Sequence, residues 1–207
     1  MRQSIIAAAF LASGAALAAG NHGLVVEHPE PGSVTRDAGL EAWERIHAVV
    51  SHPRCVNCHT DARNLPMWSG PEFSEDRPHG MNIHADDSRI GAETLPCQTC
   101  HVTSTRPNTV PHAAPHAGME WRLAPVEFLW FGVPGADICK QIRDPARNGG
   151  RDGKGLVEHI LHDASEKGFI TWGFDPGAGR EAAPGGMQAH LDDTLAWVAA
   201  GMPCPEE

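Results

Sequence analysis

Residues 52–60 read HPRCVNCHT and contain the pentapeptide Cys55-Val-Asn-Cys-His59. Forty-two residues after Cys55 the chain repeats this pattern as Cys97-Gln-Thr-Cys-His101. Two cysteines three positions apart lie on the same side of a helical turn, so both thiols reach one edge of a bound group while the next residue supplies an imidazole. Cys-x-x-Cys-His is the attachment motif of a c-type haem, and its occurrence twice predicts two covalently bound haem c groups.

The cofactor-binding residues predicted in this way are Cys55, Cys58, His59, Cys97, Cys100 and His101, with His59 and His101 as proximal iron ligands. Zinc bound by two Cys-x-x-Cys knuckles is an alternative, but 38 residues separate the knuckles and zinc leaves both histidines unexplained. A thioredoxin-like redox pair needs a surrounding βαβ pattern, which the sequence lacks. Two simple disulfides suit an oxidising compartment but also give the histidines no role.

The N-terminal segment predicts export. Residues 1–18, MRQSIIAAAFLASGAALA, combine a positive charge at Arg2, an apolar run and a closing Ala-Leu-Ala, as in a cleaved signal peptide. The run is too short to span a bilayer, and no later segment has the length. Because covalent haem attachment takes place outside the inner membrane of Gram-negative bacteria, we expect a periplasmic protein without stable membrane insertion. An uncleaved N-terminal anchor is the alternative.

The composition limits the partners and the fold. The formal charge is −10 for the 207-residue chain, and an acidic chain with few Lys and Arg is unsuited to nucleic acid. It is compatible with a partner protein that presents a basic face. The 22 Gly and 17 Pro residues predict a mainly α chain with long irregular loops. Such a chain has difficulty burying enough apolar surface by itself, which favours a cofactor in its core.

The number of histidines indicates which residue type is the sixth ligand of the two irons. Thirteen histidines against six methionines favour histidine ligation. His79 and His52 are the preferred candidates. His52 lies too close to Cys55 to reach the far face of that haem, so it would bind the other iron. Further candidates are His84, His112 and His116, with Met81 as the thioether alternative, and for each histidine a solvated or capping role is the other interpretation.

Helical periodicity appears in the C-terminal third, in residues 135–145 (GADICKQIRDP), 154–167 (KGLVEHILHDASEK) and 185–201 (GGMQAHLDDTLAWVAAG). In the last of these, Leu191, Leu195 and Val198 lie at i, i+4 and i+7. His159 and His162 share one face of the second, where they form either a metal-binding pair or part of a polar face.

Cys139 and Cys204 remain after the two motifs. In an oxidising compartment they are expected to form a disulfide, with a reactive thiol as the alternative. The predicted organisation is a signal peptide at 1–18, a di-haem-binding region with a cytochrome c type core at 19–125, and a disulfide-closed helical region at 126–207.

A resemblance rests on both motifs and on several C-terminal phrases. The chain resembles the small periplasmic di-haem proteins known as subunits of isoquinoline 1-oxidoreductase-type systems and, less closely, the di-haem subunit of periplasmic nitrate reductase, which has bis-histidine haems. The phrases are HPRCVNCHT (52–60), PCQTCH (96–101), WRLAP (121–125), ICKQIRDPARNGGR (138–151), TWGFDPG (171–177) and AWVAAGMPCP (196–205). The resemblance implies an electron-accepting cytochrome that serves a periplasmic molybdenum hydroxylase, with no hydroxylase chemistry in this chain.

The sequence therefore predicts an electron carrier that acts as the redox partner or subunit of a periplasmic oxidoreductase. A di-haem enzyme with one open iron position, which reacts with peroxide or another small molecule, is the alternative, and a haem-based sensor or assembly factor is a weaker one. No Ser-His-Asp arrangement, phosphate-binding loop or paired-carboxylate setting stands out, so we assign no catalytic side chain.

Overall fold

The computed structural model describes residues 23–81, 83–85, 97–101, 111–112, 122–177 and 179–206. Its elements are α1 (Arg36–Val50), α2 (Pro53–Val56), β1 (Met67–Trp68), β2 (Arg77–Pro78), a 3-10 turn (Cys97–Thr99), α3 (Gly135–Arg143), α4 (Gly153–Glu166), α5 (Phe169–Phe174) and α6 (Gly186–Ala199). The prediction of a mainly helical chain with little strand is confirmed. The predicted signal peptide lies outside the described residues, and within them no helix has the length and apolar character needed to cross a membrane.

Two parts of the chain differ in structure. We call α1 and α3–α6 the helical body, and residues 52–125, which carry both Cys-x-x-Cys-His motifs, the motif region. In its described part the motif region has the four-residue helix α2, the 3-10 turn and a two-stranded antiparallel pairing of β1 with β2, in which Met67 lies opposite Pro78. The remaining described backbone of this region is irregular.

Local sequence features explain why helix α1 forms, although it is not among the predicted helices. The Thr35 hydroxyl accepts a hydrogen bond from the Ala38 amide at 3.2 Å, and Asp37 lies in the first turn, where the helix dipole favours an acid. The buried side of α1 is an apolar stripe at helical spacing. It consists of Gly39, Ala42, Trp43, Ile46, Val49 and Val50.

Helices α1 and α6 pack directly against each other. The rings of Trp43 and Trp197 lie 5.3 Å apart between centroids, and both side chains are buried. Gly39 allows the close approach, because a Cβ at this position would lie 2.4 Å from the Ala200 Cβ. Helix α1 thus packs on the C-terminal part of the chain, although it falls within the segment predicted to bind haem, 19–125.

A disulfide joins Cys139 to Cys204, with a Cα–Cα distance of 5.7 Å, which confirms the predicted pairing. Cys139 is fully buried in the same apolar cluster as Ile138 and Trp197. The Trp197 indole N–H donates to the Pro203 carbonyl at 2.8 Å, next to the disulfide. The bond therefore anchors the segment after α6 to helix α3.

The three predicted C-terminal helices are confirmed as α3, α4 and α6, and α5 is an addition that depends on α4. The Asp163 carboxylate accepts hydrogen bonds from the backbone amides of Ile170 and Thr171 at 3.1 and 2.8 Å and from the Thr171 hydroxyl at 2.9 Å. These bonds cap the first turn of α5. His159 and His162 are both exposed on α4, and in the described chain they have no grouping with a third metal donor.

Candidate functional site

The first motif forms a continuous helical turn. His52 caps helix α2, because its Nδ1 accepts a hydrogen bond from the Arg54 amide at 3.2 Å. Beyond the end of α2, the amides of Cys58 and His59 both donate to the Cys55 carbonyl, at 3.1 and 3.2 Å. The turn therefore brings two thiols and an imidazole together in the order that covalent haem attachment needs.

The second motif repeats this backbone pattern. The amides of Cys100 and His101 donate to the Cys97 carbonyl at 3.2 and 2.9 Å. In both motifs the histidine amide thus closes a turn on the carbonyl of the first cysteine. The repeat in sequence is also a repeat in local structure.

The four motif cysteines have thiol side chains in this structure. None of the four motif cysteines forms a disulfide, which weighs against the interpretation of two simple disulfides. Burial raises the pKa of the Cys55 thiol to about 12, and burial together with the charge of Cys97 raises the pKa of Cys58 to about 11. Both thiols are therefore protonated at neutral pH.

The His59 ring is held from one side by residues of the segment before α3. Its Nδ1 lies 3.2 Å from the Phe128 carbonyl oxygen, and its plane stacks on the Trp130 indole with 3.4 Å between centroids and an angle of 3°. Because a carbonyl can only accept, Nδ1 carries the proton and the lone pair is on Nε2. Histidines that bind metals are usually oriented in this way by a hydrogen bond at the other ring nitrogen.

Trp130 carries an unusual donor next to His59. Its indole N–H is buried and has no hydrogen-bond partner in the part of the chain that the structure describes. A buried hydrogen-bond donor without a partner destabilises the folded state, so we expect an acceptor to lie near this indole N–H. Haem has carboxylate side chains that can accept this bond. Two Cys-Cys-His turns and an unpartnered indole donor form a set that fits a covalently attached porphyrin.

His79 lies close to the second motif. Its ring centroid is 6.0 Å from that of His101, and its Nδ1 donates to the Gly80 carbonyl at 2.7 Å, which leaves Nε2 available. An imidazole nitrogen binds a transition metal at about 2 Å, so two imidazoles on opposite sides of one ion have centroids about 6 Å apart. The structure thus brings together two of the histidines predicted as iron ligands.

The other predicted ligands have different surroundings. His84 is half-buried, and Met81 is 76 % exposed. His116 lies outside the described residues. His52, predicted to bind the second iron, has its ring 5.2 Å from that of His112. Its role as a haem ligand stays a prediction.

His52 and His112 belong to a polar cluster that residue spacing does not reveal. Together with Glu181 they place three donor atoms within 4.8 Å of one another. The Glu72 carboxylate receives a hydrogen bond from Nδ1 of His112 at 2.6 Å. Burial of the His52 ring, and then the nearby charges of His112 and Arg54, lower its pKa, which favours the neutral imidazole.

Sequence reasoning missed the residues that position these rings. The Phe128 carbonyl is 69 positions from His59, and Glu72 is 40 positions from His112. Neither distance corresponds to a helical or strand period, so no local signal could have identified them. The run of aromatic residues at 128–131 was the only available indication that this segment lies against a ring.

Comparison with known proteins finds no matching protein-family model, no matching curated protein and no matching solved structure. The assignment of the site therefore depends on the motifs and on their geometry.

Proposed function

We propose that this chain is an exported di-haem c-type cytochrome that transfers electrons in the periplasm. The observation that carries the proposal is the pair of Cys-x-x-Cys-His motifs that fold into the same closed turn, none of whose cysteines forms a disulfide. Haem iron, when bound, supplies reversible one-electron chemistry. Each turn would hold one of the two groups.

The proposed ligand roles rest on the positions of the histidines in the motifs and on the contacts of the His59 and His79 rings. His59 and His101 would each bind the iron of their own motif, and His79, whose ring lies beside that of His101, would also bind the second iron. The Phe128 and Gly80 carbonyls keep the protons of His59 and His79 on Nδ1, so that each presents Nε2 to the metal. Hydrogen bonds of this kind also raise the basicity of the imidazole. A second histidine ligand lowers the potential and closes the iron to small molecules, which favours a carrier over a catalyst.

The partner is proposed to be a protein with a basic docking face. The chain carries a formal charge of −10, and complementary charge accelerates the encounter of redox partners. The resemblance described above suggests a periplasmic molybdenum hydroxylase as the donor of electrons.

The test is production of the full chain, with its own signal, together with the haem-attachment machinery. We expect the mature protein to carry the mass of two haems. The variant Cys55→Ser/Cys58→Ser and the variant Cys97→Ser/Cys100→Ser are each expected to lose one. Cys139→Ser/Cys204→Ser is the matched control, because it removes the same number of thiols and is expected to keep both haems.

Optical spectra then separate the carrier from the enzyme. Two low-spin haems that ignore cyanide and peroxide support electron transfer as the function. A high-spin haem that binds either molecule would favour the di-haem enzyme. A colourless protein whose mass contains no haem would contradict both.

A further inference from the structure

A second cluster of metal-binding side chains lies outside the two motifs. His52 precedes helix α2, His112 follows the second motif, and Glu181 lies in the segment before α6. One donor atom of each lies within 4.8 Å of the other two. Three segments that are distant in sequence thus converge on a set of two imidazoles and one carboxylate, which is a common ligand set for zinc.

The spacing of the donors is close to that of a bound ion. Ligands about 2.1 Å from a tetrahedral metal lie about 3.4 Å from one another. The His112 Nε2 and the Glu181 carboxylate oxygen are already 3.6 Å apart. To bind an ion, the three donor atoms must move slightly closer together. Glu181 can make such a movement because its side chain is 58 % exposed. The same exposure provides a path by which an ion can enter.

His112 is preorganised for this role by Glu72. Its side chain is only 3 % exposed, and the Glu72 carboxylate binds both its Nδ1, at 2.6 Å, and its backbone amide, at 2.7 Å. The proton therefore stays on Nδ1, and Nε2 faces Glu181. A carboxylate that orients the far side of a histidine is the usual support for a metal-bound imidazole.

We propose that His52, His112 and Glu181 bind one divalent transition-metal ion of the zinc class, with water at the fourth position and Glu72 as the positioning residue. The ion clamps the start of α2 to the segments around residues 111 and 181. The carboxylates of Glu72 and Glu181 offset the nearby Arg54 guanidinium, which donates to the carbonyls of Pro111 and Glu181.

Binding has one local consequence at His52. Its Nδ1 now accepts the Arg54 amide at 3.2 Å, a long hydrogen bond. If Nε2 binds the ion, the ring proton moves to Nδ1 and this contact is given up. The Arg54 amide resonance is therefore a direct reporter of metal at His52.

The experiment uses the protein carrying both haems, so that the motif thiols are already consumed. After treatment with a chelator, Zn²⁺ is titrated by calorimetry and Cu²⁺ by electron paramagnetic resonance. We expect one ion per chain and coupling of Cu²⁺ to two imidazole nitrogens. His112→Ala is expected to weaken Zn²⁺ binding at least 100-fold, and Glu72→Gln about 10- to 100-fold. His28→Ala, which removes an exposed histidine elsewhere, is the matched control and is expected to change nothing.

Glu181→Gln keeps the test valid if His112→Ala does not fold, because the exposed Glu181 side chain is not required for packing. Absence of a stoichiometric Zn²⁺ site in the two-haem protein would overturn the proposal. So would binding that is indifferent to His112→Ala and Glu181→Gln, or a haem that becomes high-spin in His52→Ala. Failure of the proposed function is a separate result, since it appears as a missing haem; the Zn²⁺ titration is then made on the variant with all four motif cysteines changed to serine, where the same outcomes apply.

Discussion

The helical body and the motif region are stabilised in different ways. Twenty apolar residues are buried in the described chain, and only three of them belong to the motif region: Val56, Ala85 and Leu123. The helical body, in contrast, has two apolar clusters and a disulfide. Side-chain burial is the main favourable term in folding, so the body can be stable by itself whereas the described motif region depends on other contacts.

The contacts that hold the described motif region are mostly hydrogen bonds to segments of the chain outside it. Arg54 donates to the Glu181 carbonyl, His59 to the Phe128 carbonyl, and the Trp130 amide to the His59 carbonyl. Hydrogen bonds of this kind fix orientation but each adds only about 1 kcal/mol. The described part of the motif region is therefore held in place by hydrogen bonds to the segments before α3 and α6, and less by an apolar core of its own.

The largest expected effect comes from preventing the proposed haem attachment. In a variant with all four motif cysteines changed to serine, we expect hydrogen exchange in the motif region to accelerate at least tenfold while exchange in α4 and α6 is nearly unchanged. The physical reason is that the body keeps its apolar clusters and its disulfide. Equal acceleration in both regions would show that the helical body also depends on the cofactor and does not differ from the motif region in this respect.

The second prediction removes the disulfide. Cys139→Ala/Cys204→Ala opens a loop with a sequence separation of 65 residues, and loop-closure entropy predicts a loss of about 4 kcal/mol in the free energy of unfolding. Urea unfolding followed by circular dichroism measures it. The haem content is the control and is expected to stay at two. Loss of haem in this variant would show that the motif region is not independent of the disulfide.

Local signals made part of this structure predictable. The two Cys-x-x-Cys-His turns follow from spacing alone, and the Leu191–Leu195 repeat identifies α6 because a helix period is a short-range property. Helix α1 also carried such a signal, in the Thr35 cap and the apolar positions of its buried side, and it could have been found. The disulfide followed from the number of cysteines left over.

The rest of the site depends on contacts between distant segments. The carbonyl that orients His59 belongs to Phe128, and the carboxylates around His112 belong to Glu72 and Glu181. Each contact joins segments that are distant in sequence and meet only in the folded chain. Residue spacing carries no information about such contacts, so the sequence identified the two motifs and did not identify the groups that position their side chains.

The third prediction concerns acid stability of the helical body. His190, on α6, has a buried Nδ1 with no partner in the described chain, and burial lowers its pKa from 6.5 to about 4. Between these pH values the unfolded state binds a proton that the folded state does not, so stability falls as the pH falls. We expect a loss of up to about 3 kcal/mol between pH 6.5 and pH 4.

Urea unfolding at a series of pH values measures this effect. The control is His190→Gln, which cannot titrate and should show a shallower decline over the same range. If both proteins lose stability equally, the acid sensitivity comes from groups other than His190.

The smallest expected effect is a change of ligand in the motif region. In His79→Met, a thioether replaces the imidazole that lies beside His101, and methionine ligation raises the potential of haem iron. We expect one of the two potentials to rise by on the order of 0.1 V, a fraction of the range of about 0.8 V that axial ligands span. The other should stay nearly constant, because the His59 ring has its own contacts to Phe128 and Trp130. Spectroelectrochemical titration resolves the two, and a variant whose potentials both match those of the parent protein would remove His79 from the iron ligands.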